Sequence, residues 1–272
     1  MVKMGTVWDR TVEFLADHLT ALLPTAIFAI FVPISLSGSL EPVRESAAPA
    51  VQMGLAAATL VLVVVQVWGQ LAITALALDP AIGGRSSAIA TRRLLPVLVV
   101  SLLLLLMLMV LMAPIGVALV ASGVDLAQLQ LGNNPPNVPP GTALFIALYA
   151  VALLIVCLVA AARLAPLTPV LVAERRWLSG IGRAVRLTRG LTLRLIGVIL
   201  LYLVVATVAG MAARTVFGSL LRLATDGDGP LTIAGVVTAV IVGAVQTGFA
   251  VLATVFVAKL YEATAREAAP AP

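Results

Sequence analysis

The chain predicts an all-α membrane protein: six transmembrane helices, with amphipathic helices lying along the cytoplasmic interface. Three observations predict it. Apolar residues make up 61% of the 272 and charged residues 11%, with a mean hydropathy of +1.14, against about 45–50% and about 25% in a soluble domain. Six apolar runs have lengths near the ~20 residues that cross a bilayer. The cations collect at the ends of those runs, which is how membrane proteins distribute them.

The start, MVKMGTVWDRTVEFLADH, carries Asp9, Glu13 and Asp17 where a signal peptide would be basic and then apolar, so it is expected to be retained. Residues 6–18 read as an amphipathic helix, with Val7, Phe14 and Leu15 plus Val12 or Trp8 on the apolar side. The first span is expected from Leu19 to Leu36, bent at Pro24 and Pro33, followed by a polar loop from Ser37 to Pro49. The second runs from Val51 to Leu78 and stops at Asp79-Pro80. Residues 81–93 form a short loop or helix with Arg85, Arg92 and Arg93. The third span, Leu94 to Ala121, is the most apolar and should kink at Pro114. Residues 122–141 make a proline-rich loop without a cation, and the fourth span covers Thr142 to Ala162. The fifth is expected from Leu193 to Ala213, a loop from 214 to 230, and the sixth from Leu231 to Val257. Residues 263–272 read as a polar tail, with disorder expected at its tip.

Threading the chain this way puts Lys3, Arg10, Arg85, Arg92, Arg93, Lys259, Arg266 and the seven arginines from Arg163 to Arg194 on one side. Only Arg44, Arg214 and Arg222 fall on the other. The positive-inside rule then places both termini in the cytoplasm. A net charge of +5 distributed at span ends speaks for lipid phosphates and against nucleic acid.

The stretch ERRWLSGIGRAVRLTRGLTLR, Glu174 to Arg194, holds six arginines between two apolar runs. Wound as one helix, it places Trp177, Leu178, Ile181, Ala184, Val185 and Thr188 on one arc and the arginines except Arg194 on the other. That is a helix lying in the interface, apolar side down. Arg175, Arg176, Arg183, Arg186 and Arg189 are therefore the candidate lipid-head-group contacts, and Glu174 pairs with an arginine or caps the helix. The plainer alternative is that the arginines only set topology, and a membrane-protein partner is a third.

Weaker copies of this pattern precede the first and third spans, where Leu22-Leu23-Pro24 matches Leu94-Leu95-Pro96. The single integral membrane domain is thus read as three units, 6–80, 81–173 and 174–262, each an interfacial helix followed by a hairpin. The passage from Arg163 to Arg194 resembles the integral-membrane domain attached to some bacterial glycerophosphoryl diester phosphodiesterases, and stand-alone proteins of that kind. Pro169, Glu174, Ala184, Leu187, Thr188, Arg189 and Gly190 carry the resemblance over about thirty residues. It implies a membrane fold and a lipid-related setting. It does not imply phosphodiesterase activity, because catalysis in such proteins belongs to a separate soluble barrel that this sequence lacks.

No nucleophile, metal or phosphate motif is present: there is no GxSxG, HExxH or P-loop. His18, the sole histidine, has no partner for acid–base work, and Cys157 within LLIVCLVAA reads as a packed thiol. The chain is read as a non-enzyme without cofactor or metal. Gln66, Gln70 and Thr74 recur on one helix face, and Gln246 lies midway in the sixth span. They are candidates either for bonds between helices or for a polar path. The first function expected is membrane or lipid organisation, with the basic helix on anionic lipid. The alternative is a transporter or lipid translocator, which requires a cavity reaching those glutamines.

Overall fold

A computed structural model describes residues 3–123, 138–174, 179–224 and 232–268, all in helices, turns and short connections. In order these are α1 (Met4–Ala26), a π-helical turn (Ile27–Phe31), α2 (Val32–Ser46), α3 (Pro49–Leu78), a 3-10 segment (Pro80–Arg85) and α4 (Ser86–Ala121). Then follow α5 (Pro140–Leu164), α6 (Leu167–Ala173), α7 (Ser179–Leu187), α8 (Thr192–Ala224) and α9 (Ile233–Ala268). Six stretches are long and apolar enough to cross a membrane: α1 through α2, α3, the 3-10 segment with α4, α5 through α6, α8 and α9. The protein is an all-α polytopic membrane protein.

The spans follow one another round the bundle in chain order, each packed on the next, and α9 closes the ring by packing on α1 and α2 as well as on α8 and α3. Both chain ends therefore meet at the arginine-rich end, where Val7 of α1 shares a core with Leu260 of α9. That end is the packed one. Leu71, Ala72 and Ala75 of α3 pack with Ala90, Val97 and Val100 of α4 and with Leu167 and Leu171 of α6. Beside them, Ile73, Leu76 and Ala77 meet Phe14, Ile30, Val255 and Ala258. Small residues predominate where backbones approach, as they must in lipid, where burial of apolar surface no longer drives association. At Gly69 a Cβ would stand 2.5 Å from that of Ala29 in the π turn, so only glycine lets these helices touch. Toward the opposite end the helices present Leu, Val, Met and Phe outward along α3, α4, α5 and α8, the surface a bilayer would cover.

Several boundaries differ from expectation for local reasons. The amphipathic start does end at His18, whose backbone leaves helical geometry. Its buried stripe is Val7, Thr11 and Phe14, while Trp8 and Val12 are exposed. Residues 37–46, expected as a loop, continue α2, because that stretch lies against α9, with Gly38 beside Ala239. Pro33 opens α2 directly after the π-helical turn, where the helical hydrogen-bond register changes. The fifth and sixth spans likewise run on as helix, to Ala224 and Ala268. α4 passes both Pro96 and Pro114 as one continuous helix. Near the carbonyl that Pro114 cannot serve, Tyr149 of α5 donates its hydroxyl to Leu111, 2.7 Å away. Most of the proline-rich loop lies outside the described residues. The three proposed repeat units differ in form: the amphipathic segment is continuous with the span at α1, a 3-10 turn leading straight into α4 in the second unit, and a separate helix only at α7.

Candidate functional site

The basic stretch is built differently from a single interfacial helix. Arg175, Arg176, Trp177 and Leu178 lie outside the described residues. α7 then spans only Ser179–Leu187, and the chain turns through Thr188 to Leu191 before α8 starts. The Leu191 N–H donates to the Thr188 carbonyl at 3.0 Å, and Gly190 adopts φ 87°, the positive value that the third position of a type II turn demands. The inner arc of α7 faces protein rather than lipid. Gly180, Ala184 and Leu187 are buried, Ala184 among the Leu167 and Leu171 core and Leu187 against Val170 and Tyr261.

This junction is tied by the residues of the motif. Thr188 is fully buried, its hydroxyl 3.1 Å from the Ala184 carbonyl and 3.2 Å from that of Arg163 at the end of α5. Glu174 accepts from Arg183 Nε at 3.0 Å and from the Tyr261 hydroxyl at 3.2 Å, binding α7 to α9. The expected pairing of Glu174 with an arginine is thus present, and its partner is Arg183.

The result is a cavity of about 330 Å³ bordered by Arg183, Arg186, Arg189 and Arg194, with Thr264 and Glu267 of α9 opposite. Arg186 and Arg189 are exposed and make no side-chain ion pair among the described residues. Arg183 donates to Glu174 through Nε, one of its five N–H donors. The guanidinium N–H groups of Arg186 and Arg189 can donate to a small anion with several oxygens, with the Glu267 carboxylate on the same cavity wall. Arg194, which the helical wheel set apart from the other arginines, joins them because Gly190 reverses the chain.

The intramembrane polar residues separate into two groups. Gln66 and Gln246 border a common cleft between α2, α3, α8 and α9, made of three adjoining cavities of about 860, 480 and 390 Å³ that share Ile34, Arg214 and Gln246. Gln66 precedes Asp79 by 13 residues and Gln246 precedes Lys259 by 13, about 20 Å of helix each. The two amides therefore lie at one depth. Neither makes a side-chain hydrogen bond among the described residues. Gln70 lies outside the cleft lining, and Thr74 is 1% exposed, its hydroxyl donating to the Gln70 carbonyl at 2.7 Å. The four do not form one continuous track: the packed core closes it at Thr74.

Two further residues enter the sequence reading only through their charge. Lys259 is 9% exposed; its ammonium donates to the Ala77 carbonyl at 2.6 Å and to Glu262 at 3.1 Å, and stands 4.7 Å from the Phe14 ring centre. Arg214 borders all three cavities of the cleft. A lone cation closing each long apolar run was the available signal. His18 stacks on Phe14, and Cys157 is partly buried in α5. Compared with protein-family models, with curated proteins and with solved structures, the chain matches none of them.

Proposed function

We propose that this protein is a non-enzymatic component of a bacterial inner membrane, with cytoplasmic termini, that organises lipid by holding anionic head groups in its arginine pocket. The observation that carries this reading is the convergence of Arg183, Arg186, Arg189 and Arg194 on one cavity at the end of the packed core. Guanidinium groups fixed around a cavity match phosphate oxygens in number and spacing. A pure topology signal needs only charge on the correct side, and gains nothing from a turn that gathers four arginines. The resemblance of this stretch to phosphodiesterase-linked membrane domains agrees with a lipid setting.

The test is native mass spectrometry of the detergent-purified protein with phosphatidylglycerol. Changing Arg183, Arg186 and Arg189 together to Gln is expected to remove retained lipid. With each surface cation contributing about 1 kcal/mol, affinity falls on the order of a hundredfold. Equal retention by wild type and variant would reduce these arginines to topology signals.

The cleft favours a second reading, a transporter or lipid translocator. It reaches Gln66 and Gln246 from the end opposite the arginines and halts at the core around Thr74, the arrangement of a path open to one side. What supports it is the amides themselves, which line a cavity and bond to no neighbouring helix among the described residues.

A further inference from the structure

The cleft carries charges that the arginine pocket does not use. Arg214 follows Arg194 by 20 residues, about 30 Å along α8, the thickness of a hydrocarbon core. It therefore stands where the lipid phosphates of the opposite leaflet would lie. Glu41 borders two of the three cavities that Arg214 borders, and Arg44 borders one of them. All three are exposed, and among the described residues none makes an ion pair with another. An acid and two bases thus flank one opening without neutralising each other. About 10 Å further in lie the amides of Gln66 and Gln246, and the cavity beyond them is lined by Phe249 and Ala250. The charged groups thus stand at the mouth, the two amides deeper, and an apolar lining beyond them, contributed by α2, α3, α8 and α9.

That gradient is the profile of a phospholipid, and the mixed charge at its mouth selects among them. We propose that the cleft binds a zwitterionic phospholipid with a primary ammonium head group, drawn from the leaflet opposite the arginine pocket. The phosphate sits on Arg214 and Arg44, where guanidinium donors meet its oxygens. The ammonium donates to Glu41, the glycerol esters face Gln66 and Gln246, and the acyl chains leave along the apolar wall. An anionic lipid would satisfy the arginines and leave the Glu41 carboxylate against negative charge, which disfavours it. The site is distinct from the arginine pocket and does not depend on it.

The test uses the full chain in phosphatidylcholine vesicles doped with a phosphatidylethanolamine that bears a photoactivatable acyl chain, followed by mapping of the labelled peptides. Labelling is expected within 202–219 and 238–249, and unlabelled phosphatidylethanolamine should compete for it roughly tenfold better than phosphatidylglycerol, the worth of one charge-assisted bond. Arg214→Gln should abolish the competable labelling. Glu41→Gln should keep labelling and erase the preference between head groups. Gly210 borders the cleft with open space where its Cβ would stand, so Gly210→Phe should block the site sterically with no change of charge. The Arg183, Arg186 and Arg189 triple variant should label as wild type does, which keeps the two sites apart. Equal competition by phosphatidylglycerol in the wild type would overturn the proposal, as would labelling untouched by both Arg214→Gln and Gly210→Phe.

Discussion

Lys259 shows how a single side chain can close a helix to which it does not belong. α3 ends at Leu78, so the Ala77 carbonyl has lost its helical partner. It faces the negative end of a 30-residue helix, where a cation is favoured. The ammonium of Lys259 supplies the missing donor across 182 positions of chain. Glu262 and the Phe14 face share the charge. Lys259→Met keeps the bulk and removes all three contacts. It is expected to lower stability by about 2 kcal/mol, the value of a buried charged hydrogen bond, read as a fall in thermal midpoint in detergent. An unchanged midpoint would mean that water or another donor already serves Ala77. Residues of this kind are hard to read in sequence. Its charge placed Lys259 at a membrane boundary, as topology required, but the partner is fixed only once α3 and α9 pack. Glu174 was more legible, because a lone acid before six nearby arginines has few other uses. Thr188 was placed on the apolar arc, and it is indeed buried. The carbonyl of Arg163 that it meets belongs to α5.

At the scale of elements, the spans were legible because hydropathy and length are properties of the chain itself. The start of α3 at Pro49 and its stop at Leu78 fall within two residues of the expectation. The differences arise from packing beyond the apolar zone. Polar residues at 37–46 and 214–224, expected as loop, remain helical against the start of α9, and those at 263–268, expected as tail, remain helical because that end of α9 packs on α1 and α7. The basic stretch erred the other way, since one helix was expected where α7, a turn and α8 stand. Gly190 marks that break. Open space surrounds the position its Cβ would take, so Gly190→Ala meets only the conformational cost of positive φ, about 1 kcal/mol. Gly182 within α7 also has open space and ordinary helical geometry. There, the same change should stabilise by roughly 0.5–1 kcal/mol. Opposite shifts in thermal midpoint are therefore expected, with weaker phosphatidylglycerol retention only for Gly190→Ala, because it alone moves Arg189 relative to Arg194. Shifts of the same sign would show that the turn does not set the pocket.

The whole molecule is asymmetric along its length, closed at the arginine-rich end and cleft at the other. Composition could not reveal this. The spans are apolar on nearly every face, so nothing in the sequence tells a lipid-facing Leu from one that faces a neighbouring helix. The glutamines did stand out, but which of them share a space depends on how far α8 leans from α3. The asymmetry makes a graded prediction. In a Cys157→Ala background, single cysteines at Gln66 and Gln246 should react with a water-soluble methanethiosulfonate, because a thiol must ionise in water to react. A cysteine at Thr74, one face of α3 further in, should stay unmodified, since that position is 1% exposed within the packed core. On the proposed orientation, with the arginine-rich end in the cytoplasm, the reagent should reach the two reactive sites of intact cells from outside. Labelling only in inverted vesicles would reverse the orientation while leaving the cleft. Labelling at Thr74 equal to that at Gln246 would mean that the core opens in the membrane and the path runs through, the behaviour of a translocator rather than of a static lipid holder.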